Sequence, residues 1–259
     1  MPFDPKGLLS EIVTLADRAG LVIMEHYRGE VEVKTKADAS PVTAADEAGE
    51  AIILEGLSRL APDIPVVAEE RVAAGDIPEI GADIGGGYFW LVDPLDGTKE
   101  FISKNGEFTV NIALIDGSGP LLGMVLAPAR EKAWWGWRGH GAWMRDAAGE
   151  AVPIRVRSAP ATGLTAVASR SHSDAETEKF LDEVGATERI SAGSSLKFCL
   201  VAEGRADIYP RFGPTMEWDV AAGHAVLLAA GGRVTTLDDR PFLYRKPDFR
   251  NSGFIARAV

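Results

Sequence analysis

The chain has 259 residues, 46% of them hydrophobic, and a mean hydropathy near zero, which is enough apolar material to bury a substantial core. A formal charge of −11 and an isoelectric point near 4.9 argue against nucleic acid polymers and anionic membranes as partners. The one cysteine, Cys199, excludes an intramolecular disulfide and any multi-cysteine zinc or iron–sulfur site, and it fits a reducing cytoplasm.

The opening residues, Met1-Pro-Phe-Asp-Pro-Lys6, lack the basic start and apolar run of a signal peptide. No apolar stretch reaches the ~18 residues of a membrane span, so stable membrane insertion is not expected, while peripheral contact with the inner membrane stays open. Leu8, Leu9, Ile12, Val13, Leu15, Ala16, Ala19, Val22 and Ile23 recur at helical spacing and predict a helix over about residues 7 to 27, with Gly29 as its stop. A polar loop carrying Lys34 and Lys36 leads to Thr43, which caps a second helix through Ile52, Ile53, Leu57 and Leu60. Short strands follow at 65–68 and 88–92, separated by a linker in which Gly85-Gly-Gly87 reads as a loop rather than a phosphate cradle. Residues 108–115, 121–126 and 132–137 predict an antiparallel meander, whose tryptophans suit packing against helices better than stacking on bases. Beyond Pro153 the pattern alternates: a strand at 164–168, helices near 174–184 and 195–203, a strand near 206–209 and a helix from about 218 to 230.

The chemistry concentrates in Trp90-Leu-Val-Asp93-Pro-Leu95-Asp96-Gly97-Thr98, where an apolar strand runs into two aspartates and a Gly-Thr turn. Carboxylates and a carbonyl suit Mg²⁺, which shares its shell with substrate phosphate and water. A turn that opens a helix offers unpaired N–H groups to the same phosphate. Glu69 and Glu70 end a second apolar strand, where ligand sites tend to form. Each acid also has a plain structural role open to it: Asp46 completes a Thr43-x-x-Asp46 capping box, Asp96 suits an N-cap, and Asp219 suits a helix start. His26, His140 and His224 read as structural, and Cys199 as a small core residue. Asp93 and Asp96 are one residue too far apart for an Asp-x-Asp phosphatase that forms a phospho-aspartate, which favours direct attack by water.

Trp90-Leu-Val-Asp-Pro-Leu-Asp-Gly-Thr-Lys-Glu-Phe101, Glu69-Glu70 and Trp218-Asp-Val-Ala-Ala-Gly223 resemble the signature blocks of the inositol monophosphatase superfamily, in order and over essentially the whole chain. Asn105-Gly-Glu-Phe-Thr-Val-Asn-Ile-Ala-Leu114, Ala168-Ser-Arg-Ser-His172, Gly193-Ser-Ser-Leu-Lys-Phe-Cys199 and Tyr209-Pro-Arg-Phe-Gly-Pro-Thr-Met-Glu-Trp-Asp219 are similar to its bacterial 3′(2′),5′-bisphosphate nucleotidase (CysQ) branch. The resemblance implies an α/β, layered αβαβα sugar-phosphatase fold, as one domain over 1–259 with lobes 1–155 and 156–259.

It also implies that Glu69, Asp93, the carbonyl of Leu95, Asp96 and Asp219 hold Mg²⁺, with Asp46 helping to hold a further ion, two or three in all. Glu69 and Thr98, with Asp93, would carry the catalysis by orienting a metal-bound water. The N–H groups of Gly97 and Thr98 would hold the phosphate, so that Glu69, Leu95, Asp96, Gly97, Thr98 and Asp219 also face the substrate. Ser194, Ser195 and Lys197 would receive the second phosphate or ribose, and Arg170 and His172 the base or 5′-phosphate. The expected reaction converts adenosine 3′,5′-bisphosphate to AMP and phosphate, in support of sulfate assimilation and with lithium sensitivity as a family trait. Two other readings stay open: the same fold acting on inositol monophosphate or fructose 1,6-bisphosphate, and a non-catalytic nucleotide-binding regulator. Monomer and homodimer are equally compatible with the sequence.

Overall fold

A computed structural model describes residues 5–29, 33–35, 41–81, 87–117, 119–160, 163–169 and 175–259. The first helix, α1 (Pro5–Arg28), and the second, α2 (Ala44–Leu60), follow the predicted bounds closely. Between them a short hairpin forms from β1 (Val33–Thr35) and β2 (Pro41–Thr43). Thr43 caps α2: its hydroxyl oxygen accepts the Ala45 N–H, and the Asp46 carboxylate accepts the Thr43 N–H at 2.8 Å.

A seven-stranded sheet comes next in chain order. It comprises β3 (Val66–Ala68), β4 (Tyr88–Asp96), β5 (Thr109–Asp116), β6 (Gly119–Ala127), β7 (Lys132–Trp137), β8 (Gly141–Arg145) and β9 (Val152–Ile154), each paired with the next. β3 and β4 run parallel and the remaining pairs antiparallel. Two single-turn helices interrupt the sequence at its chemically important points, α3 (Glu69–Ala73) after β3 and α4 (Thr98–Ile102) after β4. Glu69 and Glu70 therefore open a helix rather than simply ending a strand.

Strand alternation distributes the core. Trp90, Val92, Ile112, Leu114, Leu122 and Met124 join α1 and α2 in one apolar cluster, while Phe89, Leu91, Ala113, Ile115 and Val125 face the other way. On that second face lie α6 (Leu196–Ala202) and α7 (Glu217–Ala229). The approach is close: a Cβ at Gly123 would lie 2.7 Å from the Ala222 carbonyl oxygen, so only glycine fits beneath α7 there. Beyond these helices a five-stranded sheet closes the layer, in the order β11 (Ala186–Ala192), β10 (Leu164–Ser169), β12 (Ile208–Arg211), β16 (Phe254–Arg257) and β14 (Arg233–Thr236). The outer helix α5 (Ala175–Glu183) covers it through Leu181, against Ala166, Ile208 and Ile255. A two-residue pair, β13 (Thr215–Met216) with β15 (Arg250–Asn251), precedes α7. The result is an αβαβα stack.

Trp134 is buried in the core cluster and its indole N–H donates to Glu203 at 2.9 Å, so this tryptophan packs between layers. Cys199 is fully buried. Exposed His140 stacks on Trp137 at 3.5 Å between ring centroids. His224 is buried in α7 with its Nδ1 2.9 Å from the Tyr244 hydroxyl, and burial, with Lys246 nearby, depresses its pKa to about 3. The folded imidazole thus stays neutral where an unfolded one, near 6.5, takes up a proton. Stability contributed by neutral His224 is present above pH 6.5 and lost as pH falls toward 3. Urea titrations should show wild type losing ~1 kcal/mol per pH unit relative to His224→Gln between pH 6 and 4, with a constant difference above pH 7.

Candidate metal and phosphate site

Strand pairing builds the acidic floor. Ala68 is in register with Val92, so Glu69 and Asp93 leave two parallel neighbours side by side, their carboxyls within hydrogen-bonding reach. In a regular strand Asp93 and Asp96, three residues apart, would face opposite sides of the sheet. The register shifts at Pro94, however: Asp93 pairs with Asn111 and Asp96 with Thr109. Because Asn111 and Thr109 are two residues apart on β5, the bulge turns both aspartates to the same face. Within it the Leu95 N–H donates to Asp93 Oδ1 at 3.0 Å, and the Thr109 hydroxyl and Asn111 amide each donate to Asp96 Oδ2 at 3.4 Å.

Gly97 follows with φ +94°, in the left-handed region, and a Cβ there would collide with the Ser194 hydroxyl. The turn opens α4 at Thr98 and leaves Gly97 and Thr98 lining a cavity. Thr98 is fixed from below, its hydroxyl donating to Asp46 Oδ1 at 3.2 Å. Asp219 arrives from the other half of the chain at the third position of α7, where its Oδ2 accepts the Met216 N–H at 2.8 Å.

A cavity of about 340 Å³ opens here, lined by Glu69, Asp96, Gly97, Thr98, Ser194 and Asp219 together with Lys99, Lys197, Tyr209 and Arg211. Asp93 lies outside this lining, only 1% exposed, as do Asp46, Leu95 and Ser195. A roomier cavity of about 720 Å³ between β8, β9 and the end of α7 contains none of the predicted residues. Lys34 pairs with Glu47 at 3.6 Å in an exposed ion pair. Lys36, Arg170 and His172 lie outside the described residues.

The electrostatics are those of crowded carboxylates. Burial, reinforced by Glu69, Asp96 and Asp219, pushes the Asp93 carboxyl well above its usual range. Asp219 is raised by burial and by Asp96 and Glu69. Asp96 is raised to about 6 by burial, with Lys197 pulling the other way. Burial lowers Lys197 to about 8, against the pull of Asp96.

Among the described residues, no three His, Cys, Asp or Glu side chains converge on one point as a closed cage would. The fit to a cation rests on donor chemistry: four hard carboxylates, mutually repelling in a low-dielectric setting, need positive charge to be ionised together. Asn111 Oδ1, buried beside them with no hydrogen-bond partner, adds an unsatisfied acceptor.

The two serines behave otherwise than as simple phosphate donors. Ser194 Oγ lies within donating reach of two carbonyls, Asp96 (2.8 Å) and Glu107 (2.7 Å), which compete for its one proton, and Ser195 Oγ donates to that of Asp219 at 2.9 Å. Glu107 holds the same turn through the Gly193 N–H at 2.9 Å and is itself paired with Arg130 at 2.6 Å. Sequence reasoning missed Arg211, Asn111, Thr109 and Glu107 as parts of this site. All four fall in motif blocks quoted above, but nothing in their spacing gives them a partner.

A model of the inositol monophosphatase family matches residues 4–257, and the chain belongs to that family. It is 48% identical over 250 residues to the Escherichia coli K12 protein 3′(2′),5′-bisphosphate nucleotidase CysQ, covering 95% of this chain and 98% of that one. The crystal structure of CysQ from Bacteroides thetaiotaomicron superposes with a TM-score of 0.80 at 36% identity, over 97% of both chains. A more distant relative, histidinol-phosphatase of Mycobacterium tuberculosis, is 35% identical over 236 residues, 87% of this chain and 86% of that protein.

Proposed function

We propose that this chain is a 3′(2′),5′-bisphosphate nucleotidase, a phosphatase that hydrolyses the 3′-phosphate of adenosine 3′,5′-bisphosphate to give AMP and phosphate. The observation that carries this reading is one cavity that brings together Glu69, Asp96 and Asp219, the Gly97–Thr98 turn and the cationic side chains Lys99, Lys197 and Arg211. The acids suit a cation bound with the phosphate being cleaved, and Lys197 with Arg211 a second phosphate on the same substrate. Similarity to CysQ proteins over nearly the full length supports it.

In this reading Glu69, Asp93, the Leu95 carbonyl, Asp96 and Asp219 hold Mg²⁺, two or three ions, with Asp46 at the weakest. Bound divalent cations supply an acidified water and neutralise the leaving oxygen. The chain does the rest. Glu69 and Thr98 orient the attacking water, and Asp46 fixes the Thr98 hydroxyl that does so. The Gly97 and Thr98 N–H groups hold the phosphoryl oxygens as charge develops. Lys197 and Arg211 take the second phosphate. With its proton committed to a backbone carbonyl, Ser194, which lines the cavity, remains an acceptor suited to a ribose hydroxyl, while buried Ser195 holds the turn to α7. No described helix is long and apolar enough to cross a membrane, which agrees with action on a small diffusible nucleotide. We place the boundary between the two lobes near residue 155, between β9 and β10.

Phosphate release from adenosine 3′,5′-bisphosphate, inositol 1-phosphate, fructose 1,6-bisphosphate and histidinol phosphate, with Mg²⁺ and with chelator, tests the assignment. The nucleotide should be preferred by at least ~10²-fold in kcat/KM, and chelator should abolish turnover. Equal or better turnover of inositol or sugar phosphates would overturn the nucleotide assignment while keeping the site.

A further inference from the structure

Glu50 is a carboxylate with no part in the scheme above, yet it is only 4% exposed. It lies four residues after Asp46 on α2, so the two acids share one face of that helix, one turn apart. Asp46 reaches the Thr98 hydroxyl at the start of α4. Glu50 reaches the start of α3, where Oε2 accepts the Glu70 N–H at 2.8 Å and Oε1 the Arg71 N–H at 3.0 Å.

The start of α3 needs this help. Its N-cap position is Ala68, which offers no side-chain hydrogen bond, and its five residues are too few to hold a helix by backbone bonds alone. The carboxylate that caps α3 therefore comes from about twenty residues upstream, on a helix anchored in the core by Ile53 and Leu57. The residue whose direction this sets is Glu69, the first of α3.

The geometry points to Glu50 as a positioning residue for catalysis: by clamping the first turn of α3 to α2, it holds Glu69 in register with Thr98, which Asp46 clamps to the same helix face. The two groups that orient the attacking water are thereby referred to one rigid element, so their separation does not depend on the intervening loop. This inference rests on the assignment of Glu69 and Thr98 to that water. A carboxylate is the right group because two adjacent N–H donors need two acceptor oxygens. Glutamine offers one, and turns an NH₂ toward the other donor.

The test compares the full-length wild type with Glu50→Gln, Glu50→Ala and Glu69→Gln. It measures kcat and KM for adenosine 3′,5′-bisphosphate, the Mg²⁺ concentration for half-maximal rate, and thermal melting by circular dichroism. Loss of a group that orients a metal-bound or reacting side chain costs about 10- to 100-fold. We expect kcat to fall about 10-fold in Glu50→Gln and about 100-fold in Glu50→Ala, with KM within about 3-fold and the Mg²⁺ requirement raised, in protein that is folded at the assay temperature. A cap that served stability alone would lower the melting temperature and leave kcat and the Mg²⁺ requirement of the folded enzyme unchanged, and that result would overturn the proposal. Should Glu50→Ala fail to fold, Glu50→Gln decides by the same criteria. Glu69→Gln separates the two levels of the argument. Wild-type turnover in that variant sinks the assignment of Glu69 and this inference with it, whereas an inactive Glu69→Gln beside fully active Glu50 variants sinks the inference alone.

Discussion

Asp93→Asn is expected to lower kcat/KM for adenosine 3′,5′-bisphosphate by at least about 10³-fold, a loss of ~4 kcal/mol of transition-state stabilisation, while raising the melting temperature measured in chelator. The two halves of this expectation have one cause. Asp93 is buried and shares its surroundings with Glu69, Asp96 and Asp219, so ionising it in the fold is costly and its carboxyl titrates well above the unfolded value of 3.8. A raised carboxyl contributes stability that is fully present below pH 3.8 and lost as pH rises through the folded pKa. At neutral pH the metal-free fold therefore bears the cost of this crowded buried carboxyl, as unrelieved charge or as proton uptake, and asparagine removes that cost at almost constant volume. Each kcal/mol regained raises the melting temperature of a domain this size by ~2–4 °C. The same substitution removes the charge that attracts a divalent cation, so Mg²⁺ should raise the melting temperature of wild type and leave the variant nearly unmoved. Thermal melts with and without Mg²⁺, beside phosphate release, test both halves. Undiminished turnover in Asp93→Asn would remove Asp93 from the site, and a lower melting temperature in chelator would show that the carboxylate is not under strain.

The parts of this architecture visible in the sequence are those where local signals are strong. The helix ends at Thr43 and Gly29 and the apolar strands 109–127 carry caps, turns and alternation that need no tertiary context. Strand β11 carries none of these: Ala186-Thr-Glu-Arg-Ile-Ser-Ala192 is mostly exposed at a sheet edge, so no apolar alternation betrays it. β13 and β15, two residues each, exist only because each finds the other. The site shows the same division. That Asp93, Asp96 and Asp219 could be ligands followed from their residue types and from family resemblance. That Asp93 and Asp96 face the same way depends on a register shift opposite Asn111 and Thr109, which is a property of two strands together. The hydroxyls of the Gly193-Ser-Ser195 turn suggested contacts to a second phosphate or ribose; that they also tie the turn to the backbone of Asp96 and Asp219 depends on distances between remote segments.

Lys197 carries the second large expectation, on selectivity rather than turnover. Lys197 is buried with its Nζ donating to the Ser194 carbonyl at 2.7 Å, and it shares the cavity with Arg211. A charge-assisted bond to phosphate in such a setting contributes ~1.5–3 kcal/mol, or about 10- to 150-fold. Lys197→Met keeps the apolar stem and removes the charge. It should lower kcat/KM for adenosine 3′,5′-bisphosphate by about 10²-fold, yet change that for adenosine 3′-monophosphate, which lacks the second phosphate, by no more than about 3-fold. The pH profile gives an independent check. Burial lowers Lys197 to about 8, so the protonated form that binds phosphate is lost as pH rises through that value. Wild-type kcat/KM for the bisphosphate should therefore fall above pH 8, and the variant, already without the charge, should lose this alkaline limb. Because Lys197 also holds down the Asp96 pKa, Asp96 of the metal-free variant should titrate above the value of about 6 that it has in metal-free wild type. Equal losses on the two nucleotides would assign Lys197 to the acidic cluster instead of the second phosphate, since only a contact made by the 5′-phosphate can distinguish the two substrates.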